Sequence, residues 1–425
     1  MRAVDELRPS AAQLAWQQLE LGMFVHVGVN TFAGCEWSDG TLPAASFAPS
    51  DLDAGQWVAV AQEMGARYLV LTAKHHDGFC LWPTATTDYS VASSPWRAGR
   101  GDLVGEVADA CRAAGLAFGV YLSPWDRHEP RYADPAAYDA FYTAQLRELC
   151  TRYGRLGEIW FDGAGSAGRV YAWDAIMAVV EETQPDAMVF NMGRPTIRWV
   201  GNEDGLAGDP VHYVTDRTEL NSYDDDVTGL ARPRYLPPEC DVSLRRGWFW
   251  AADDEPKSLD HLLAVHYRSV GRGTNLLLNV PPDTRGRVPD ADVARLRAWR
   301  AELDRRFGRP VTATLELVTE DGDRRTWRGR LPGEVSLDHL RLREDYREGQ
   351  RVERHVVRHR SAVLAEGRTV GQQRVHAVPA VSAAVLEVET VGAGARLLAL
   401  EVFDTGGATV PEPGYRASTD EPERR

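Results

Sequence analysis

The sequence predicts a parallel (β/α)8-like (TIM) barrel that lacks some of its helices, followed by a C-terminal β-sandwich. Up to Phe307, short apolar runs alternate with longer segments of helical period, which is typical of βα units around a parallel sheet. From about Arg309 onward, short runs of alternating polar and apolar residues dominate, and this pattern is typical of a sandwich. A chain of 425 residues is long enough for both units. We therefore predict a barrel over residues 1–308, a sandwich over 309–415 and a disordered polar tail over 416–425.

Eight runs in the first unit have the length and composition of buried β-strands, and eight is the strand number of a TIM barrel. Amphipathic segments that end in glycine lie between the first four runs, as expected for helices with a C-terminal glycine cap. The fifth and sixth runs are separated only by residues 194–196 (RPT), which is too short for a crossover helix. We therefore expect a gap in the ring of helices at this point. The predicted strands cover residues 22–29, 67–74, 116–124, 158–163, 188–193, 197–203, 240–245 and 274–282.

The composition limits the classes of function that the chain can serve. Acidic residues outnumber basic ones by 62 to 48, and the resulting net charge of −14 repels the phosphate backbone of nucleic acids. No apolar run approaches the ~18 residues that a membrane-spanning helix needs. The N-terminal segment carries charged residues where a secretory signal peptide has an unbroken apolar core. We therefore expect a cytoplasmic protein without a nucleic-acid or membrane partner, and the sequence leaves its oligomeric state open.

The five cysteines are scattered along the chain, and no two of them form a CxxC pair. An odd number without paired spacing favours reduced and mostly buried thiols over a disulfide framework or a zinc site. We accordingly expect neither a structural metal nor a cofactor.

Polar side chains collect where the predicted barrel strands end. In barrels of this kind the C-terminal ends of the strands form the catalytic face, so we expect these side chains to meet there. Taken singly, each has a structural interpretation, because a histidine near a strand is often a core residue and an Asp-Gly pair is often a turn. Several at equivalent strand ends, with tryptophans among them, indicate a site that packs a sugar ring on an aromatic face and hydrogen-bonds its hydroxyl groups. The candidates are His26, His75, His76, Tyr121, Asp162 and Glu203, with Trp37, Trp160, Trp199 and Trp248 as the aromatic residues.

Hydrolysis of a glycoside requires two carboxyl groups, one to attack or support the anomeric carbon and one to protonate the leaving oxygen. Asp162 and Glu203 form the best-placed pair, because each ends a predicted strand. Glu239, next to the seventh predicted strand, is a second candidate for the acid/base. The sequence alone does not place Glu239 relative to a sugar.

Two other classes of function stay open. Histidines on barrel strands can bind zinc, so His26, His75, His76, Asp77 and His128 could serve a metal-dependent hydrolase. Neighbouring residues of a strand point to opposite faces, however, so His75 and His76 can both be ligands only if the chain bends there. A catalytically inactive sugar-binding barrel is the other alternative, although such a protein has no use for a pair of carboxylates.

Four blocks of the sequence, "FVHVGVNTFAGCEW", "LTAKHHDGFCLWPT", "GVYLSPW" and "IWFDGAG", resemble the signature blocks of the α-L-fucosidases of glycoside hydrolase family 29. Two more, "RWVGNEDG" and "PPECDVSLRRGWFW", resemble the branch of that family that removes α-1,3- and α-1,4-linked fucose. The resemblance spans the barrel from about Met23 to Pro282. It implies a retaining mechanism, a barrel that is missing some of its helices and a C-terminal β-sandwich.

Carried onto this chain, the resemblance implies that Asp162 is the nucleophile and Glu203 the acid/base. As neutral imidazoles, His75 and His76 would read adjacent hydroxyl groups of fucose. We interpret Asp77, which precedes a glycine, as a turn residue. The residues that would line the fucose subsite are His26, Glu36, Trp37, His75, His76, Tyr121, Trp160 and Trp248.

Overall fold

The computed structural model describes residues 7–166, 168–220 and 227–416. Eight parallel strands form the N-terminal unit, and each of them overlaps one of the predicted runs. A two-stranded antiparallel hairpin, β7 and β8, interrupts them. In chain order these strands are β1 (Leu21–Val25), β2 (Tyr68–Lys74), β3 (Ala117–Leu122), β4 (Glu158–Trp160), β5 (Met188–Phe190), β6 (Arg198–Trp199), β7 (Val214–Glu219), β8 (Val227–Tyr235), β9 (Pro238–Ser243) and β10 (Asn275–Asn279).

The parallel strands form a sheet that is nearly closed into a barrel, which confirms the predicted fold class. Their order is β5-β4-β3-β2-β1-β10-β9-β6, so β5 and β6 are the two end strands. A parallel bridge between Phe190 and Ile197 connects these ends. Because every pairing in the sheet is parallel, the C-terminal ends of all the strands meet at one mouth of the barrel.

Capping residues explain where the barrel helices begin and end. The helices are α1 (Ala11–Gln17), α2 (Val29–Ala33), α3 (Ala54–Met64), α4 (Leu103–Ala114), α5 (Pro135–Arg152), α6 (Trp173–Thr183), α7 (Leu259–Arg268) and α8 (Asp290–Phe307). The side chains of Asp53 and Asp102 accept hydrogen bonds from backbone N–H groups in the first turns of α3 and α4. Gly65 and Gly115 end the same helices with φ angles of 87° and 72°, a left-handed conformation that favours glycine. None of the helices in the described residues combines the length and the hydrophobicity that a membrane crossing requires.

The ring of helices has the expected gap. The segment between β5 and β6 contains no helix, and the Asn191 N–H donates to the carbonyl oxygen of Ile197 at 3.1 Å within it. The β7–β8 hairpin stands between β6 and β9, where a regular barrel has another helix. The prediction for residues 194–196 is therefore confirmed, and the structure adds a second gap beside it.

Two layers of apolar residues hold the barrel together. The outer layer packs the strands against the surrounding helices. The inner layer fills the barrel and is rich in aromatic rings, among them Trp16, Phe24 and Trp160. Trp16 comes from α1, and Gln13 of the same helix donates from Nε2 to the carbonyl oxygens of Thr196 (2.6 Å) and Tyr235 (2.8 Å). Helix α1 therefore covers the N-terminal end of the barrel, and the opposite mouth is the one that can receive a substrate.

The C-terminal unit is an antiparallel sheet, in agreement with the predicted β-sandwich. Its strands are β11 (Val311–Thr312), β12 (Thr314–Asp321), β13 (Arg324–Glu344), β14 (Arg354–His359), β15 (Ala362–Gly367), β16 (Arg374–Val391) and β17 (Leu397–Phe403). Strands β13 and β16 run through both halves of this sheet, and their pairing shifts register between Arg330 and Val335. Leu400 of one half and Val357 of the other belong to the same buried cluster, so the two halves pack against each other.

Several barrel strands are shorter than predicted. Strand β1 ends at Val25, β4 at Trp160 and β6 at Trp199, so the polar residues that follow them lie in loops beyond the strand ends. The predicted boundary at residue 309 falls between the end of α8 and the start of β11. Of the predicted disordered tail, residues 417–425 lie outside the described part of the chain.

Aromatic and polar contacts join the two units. The Phe307 ring at the end of α8 packs edge-on against Phe403, with 5.3 Å between the ring centroids. The Tyr267 hydroxyl hydrogen-bonds to His339 Nε2 at 2.8 Å. Gln372 Nε2 donates to the carbonyl oxygen of Gln17 at 2.6 Å. The sandwich therefore covers one flank of the barrel.

A fragment that ends at Phe307 should aggregate, because removal of the sandwich exposes this flank and apolar patches of more than a few hundred Å² promote association. Size-exclusion chromatography with light scattering on the fragment and the full chain at equal concentration measures this. A soluble, monomeric and fully active fragment would contradict the prediction.

Candidate active site

Asp162 lies two residues beyond β4 at the C-terminal mouth of the barrel. The Tyr121 hydroxyl donates to its Oδ2 atom at 2.9 Å, and the backbone N–H of Ala164 donates to Oδ1 at 2.8 Å. His76 Nε2 lies 3.6 Å from the same Oδ2 atom, and the Asp162 side chain is 23% exposed. One carboxylate is thus fixed by two donors while it still faces solvent.

His75 and His76 both reach the site because β2 ends at Lys74, one residue before them. Their ring centroids are 4.2 Å apart. Burial lowers the pKa of both imidazoles below the usual value, most strongly for His75, and for His76 the nearby Asp162 opposes this effect. Both rings are therefore neutral near pH 7, as the sequence led us to expect.

The hydrogen bonds of His76 decide which of its nitrogen atoms carries the proton. The Ser123 hydroxyl donates to the carbonyl oxygen of Trp125 at 2.6 Å. Its oxygen therefore accepts from His76 Nδ1, which lies 2.7 Å away. In the neutral ring Nε2 is then an acceptor, and this atom points toward Asp162.

His26 follows β1 and has the same tautomer for a similar reason. Asn279 donates from Nδ2 to the carbonyl oxygen of Trp248 at 2.8 Å, so its Oδ1 atom is the one that faces His26 Nδ1 at 2.9 Å. Burial lowers the pKa of His26 to about 3. His26 Nε2 is consequently a second neutral acceptor at the mouth of the barrel.

Glu203 lies in the loop that follows β6, four residues beyond Trp199. Trp248 donates from Nε1 to Glu203 Oε2 at 3.2 Å, and its ring lies 5.1 Å from the His26 ring. Glu36 holds the loop that carries Trp248, because its carboxylate accepts hydrogen bonds from the backbone N–H groups of Trp248 and Phe249. The second carboxyl group is thereby connected to the histidines that surround Asp162.

Aromatic rings form the remaining walls. Trp160 stacks between Phe190 and Tyr121, with centroid separations of 3.6 and 5.7 Å. The Trp37 ring lies edge-on to His76 at 5.4 Å. A concave surface of flat apolar faces with a few fixed polar atoms is the arrangement that binds a sugar ring.

Comparisons with known proteins agree with this geometry. A family model described as alpha-L-fucosidase matches residues 35–302. The chain belongs to the α-L-fucosidases of glycoside hydrolase family 29. A relative from Oryza sativa subsp. japonica that is named as an α-L-fucosidase is 39% identical over 430 residues, which cover 91% of this chain and 83% of that protein.

Solved structures extend the likeness to the whole fold. A Bacteroides ovatus structure, also named as an α-L-fucosidase, is 37% identical with a TM-score of 0.86 and covers 95% of this chain and 75% of its own. A Ruminococcus gnavus GH29 fucosidase, solved in complex with fucose, is 26% identical with a TM-score of 0.83 and covers 94% of this chain and 95% of its own. The protein is therefore a glycoside hydrolase with α-L-fucosidase activity.

Of the residues that the metal alternative groups together, His26, His75, His76 and Asp77 lie near one another in this fucosidase, whereas the His128 ring has other partners. The His128 ring stacks on Tyr89 at 3.9 Å, and its Nδ1 atom bonds to the carbonyl oxygen of Gly40. Asp77 accepts from the backbone N–H of Phe79 at 2.8 Å, which is the turn geometry we predicted. Within the described ranges, no group of three or more His, Cys, Asp and Glu side chains is arranged to hold a metal ion.

Sequence reasoning missed two aromatic residues of the site. The Trp125 ring lies 5.1 Å from His76 and 5.6 Å from Trp37, and the Phe249 ring lies 5.0 Å from His75. Both residues stand in the sequence blocks "GVYLSPW" and "RRGWFW". A tryptophan directly after a predicted strand end was the available signal for Trp125.

A buried ion pair supports the loops of the fucosidase site. Lys74, the last residue of β2, places its Nζ atom 2.8 Å from Asp126 Oδ2, and both side chains are almost completely buried. Asp126 Oδ1 accepts from the backbone N–H groups of His128 and Glu129 at 3.0 and 2.9 Å. The ring of Tyr142 lies 5.4 Å from the ammonium group. This pair ties the end of β2, which carries the two histidines, to the loop after β3.

Lys74→Met should lower the free energy of unfolding by ~3–5 kcal/mol, because it leaves the Asp126 charge buried without a partner. Urea unfolding followed by circular dichroism measures this. The matched control is Arg147→Met, which breaks the exposed Arg147–Glu182 pair and should cost no more than ~1 kcal/mol. Equal costs for the two variants would contradict the structural role of the buried pair.

Proposed function

We propose that the protein is a retaining exo-α-L-fucosidase that uses Asp162 as nucleophile and Glu203 as acid/base. The observation that carries this proposal is the placement of the two carboxyl groups. Asp162 is held by Tyr121 and Ala164 at the end of β4, and Glu203 is held by Trp248 across the same mouth.

In the first step, an oxygen of Asp162 forms a bond to the anomeric carbon while the bond from that carbon to the leaving oxygen breaks. The protonated carboxyl group of Glu203 gives its proton to the leaving oxygen. In the second step, the Glu203 carboxylate takes a proton from water, the water oxygen bonds to the anomeric carbon, and Asp162 leaves as a carboxylate. Two inversions return the original α configuration.

The fixed acceptors of the site suit the hydroxyl groups of fucose. His26 and His76 each present a neutral Nε2 atom, because Asn279 and Ser123 bind the Nδ1 atoms. Fucose hydroxyls can donate to these atoms, and the apolar side of the ring can pack on an aromatic wall that includes Trp160. The fucose bound to the similar Ruminococcus gnavus enzyme supports this choice of sugar.

Burial favours Glu203 over Glu239 as acid/base. Glu239 is fully buried inside the barrel, and its two oxygen atoms accept from the Tyr68 hydroxyl and from Trp160 Nε1. A group enclosed in this way has no path to the oxygen of a leaving sugar. Glu203 is partly exposed and next to the loop that carries Trp248.

Asp162→Gly should lower kcat/KM by ~10³-fold or more on every α-L-fucoside, because the first step loses its nucleophile. Added azide should then give β-fucosyl azide by a single inversion. Glu203→Ala should fail mainly on natural oligosaccharides, whose leaving groups need a proton, and should keep forming the fucosyl-enzyme from activated aryl fucosides. With azide this second variant should give α-fucosyl azide, and NMR of the products distinguishes the two anomers.

The control variant is Glu219→Ala, which removes a carboxylate that lies against Gly201, two residues before Glu203. The activity of Glu219→Ala relative to the parent should be the same on natural oligosaccharides and on activated aryl fucosides. Near-normal activity of Glu203→Ala on a natural trisaccharide, with loss in Glu239→Ala, would move the acid/base role to Glu239. Substantial turnover by Asp162→Gly would refute the retaining mechanism on this residue.

We further propose that the enzyme prefers α-1,3- and α-1,4-linked fucose. The support is the resemblance of "RWVGNEDG" and "PPECDVSLRRGWFW" to that branch of the family. These blocks include the loops after β6 and β9, which carry Glu203 and Trp248. If Glu203 is the acid/base, the leaving sugar binds beside these loops. A branched acceptor would contact both loops at once.

Cleavage of Lewis-type trisaccharides, in which galactose also substitutes the GlcNAc, should be faster than cleavage of 2′-fucosyllactose. Initial rates of fucose release at equal substrate concentrations, measured by chromatography, test this preference. Faster hydrolysis of 2′-fucosyllactose would contradict it without affecting the assignment of Asp162 and Glu203.

A further inference from the structure

Two buried carboxyl groups interact at the closed end of the barrel. Glu158 opens β4 and Glu239 is the second residue of β9, and both side chains are buried in the barrel interior, where the charge of Glu239 acts on Glu158. Their exposed fractions are 1% and 0%. Two negative charges buried side by side would repel each other strongly, so this arrangement needs an explanation.

The hydrogen-bond donors around the pair account for every carboxyl oxygen except one. Glu239 Oε1 accepts from the Tyr68 hydroxyl at 2.5 Å, and Glu239 Oε2 accepts from Trp160 Nε1 at 3.0 Å. Glu158 Oε2 accepts from Trp16 Nε1 at 2.9 Å. Glu158 Oε1 is buried and has no donor of its own. A proton on Glu158 Oε1 that is donated to Glu239 satisfies this atom and removes the repulsion.

The charged groups nearby do not offer another solution. In the described part of the chain, no lysine, arginine or histidine hydrogen-bonds to either carboxyl group. Asp241, two residues along β9, is a further carboxyl group and not a cation, and burial raises its pKa well above the usual value; Cys240 and Tyr68 are the other titratable neighbours. Burial, and then the charge of Glu239, raises the pKa of Glu158 well above its usual range. Burial also raises the pKa of Glu239, against the effect of its hydrogen bonds.

The pair is connected to the sugar site through one strand. Alternate residues of a strand point to the same side, so Glu158 and Trp160 of β4 both face the interior of the barrel, and Asp162 follows them in the loop at the mouth. Glu158 lies in the lowest of these layers, and Asp162 lies at the mouth. Because Trp160 donates to Glu239, the carboxyl pair fixes the indole ring two residues below the nucleophile.

We propose that Glu158 and Glu239 share one proton, with Glu158 as the acid and Glu239 as the carboxylate, and that the pair acts as a positioning element for Trp160. The positioning role rests on the proposed function, since it assigns Trp160 to the wall that receives fucose. The shared proton stands independently of any activity. Neither residue contacts the substrate, so both act through the indole ring.

Infrared spectroscopy tests the proton directly. Protonated glutamic acids, which include the proposed acid/base Glu203, give carbonyl stretches that shift when glutamate is labelled with ¹³C, and the parent at pH 7 should show one such band that belongs to Glu158. Glu158→Gln should lack this band, because its amide donates to Glu239 in place of the acid and still accepts from Trp16. If the difference spectrum between the parent and Glu158→Gln contains no band of a protonated glutamic acid, the assignment of the proton to Glu158 is wrong.

The pH dependence of stability gives a second test. A carboxyl group whose pKa is raised in the folded state keeps its proton above the pKa of the unfolded chain, so stability falls as the pH rises through this window. Glu158→Gln has no such proton. Its melting temperature relative to the parent should therefore rise between pH 5 and pH 8. A constant difference over this range would overturn the shared proton.

Kinetics test the positioning role. Glu158→Met removes the proton that Glu158 shares with Glu239 and the acceptor of Trp16 Nε1. It should therefore raise KM for 4-nitrophenyl α-L-fucoside by about tenfold with a smaller change in kcat. Glu158→Gln restores both hydrogen bonds and should bring KM back to within about twofold of the parent. Equal KM values for the Met and Gln variants would refute positioning. An inactive parent would refute the proposed function instead, while the infrared and stability measurements would still decide on the proton.

Discussion

The parallel direction of all the barrel strands is the constraint on which the rest of this structure depends. Parallel strands send their C-terminal ends to one mouth, so side chains that are far apart in sequence meet there without any long-range recognition between them. Asp162 follows β4 and Glu203 follows β6, and the bridge between Phe190 and Ile197 brings those strands onto the same side of the barrel. Helix α1 covers the other end. Chemistry is thereby confined to one mouth.

The barrel interior holds groups in different protonation states without water to separate them. Burial keeps His26, His75 and His76 neutral, and His26 and His76, whose Nδ1–H groups are fixed by Asn279 and Ser123, are acceptors of defined direction. The carboxyl groups are held instead by O–H and N–H donors, such as those of Tyr121 and Trp248. The orientation of these buried groups is therefore set by specific hydrogen-bond partners rather than by bulk solvent.

The gaps in the helical ring have a structural use. The β7–β8 hairpin occupies the space beside β6, and the residues at its end pack on the loops of the site. The backbone of Leu220 lies so close to Gly163 that a Cβ atom there would collide with it, and the Glu219 carboxylate lies closer still to Gly201, whose φ of 87° already favours glycine. Glycine is thus required in the loops that carry Asp162 and Glu203. The hairpin takes the place of a helix and supports both loops.

The sequence by itself determined the elements of this protein. Apolar runs of strand length, glycines such as Gly65 that end amphipathic segments, the short segment 194–196 and the change of pattern near Arg309 are local signals, and they predicted the barrel, its gap and the sandwich. Local signals also indicated a site at the strand ends, because polar and titratable side chains pack poorly in an apolar core.

Only the tertiary structure decided the layer in which each of these residues lies. Glu239 and Glu203 look equivalent in sequence, yet one is enclosed beneath Trp160 and the other stands at the mouth. His75 and His76 reach the site together because β2 stops at Lys74, while His128 turns away to Tyr89. Depth in a barrel follows from strand register and closure, which are set by pairings between distant parts of the chain. A local pattern shows the side of a strand on which a residue lies. The strand pairing of the whole barrel determines how far along the barrel axis that residue lies.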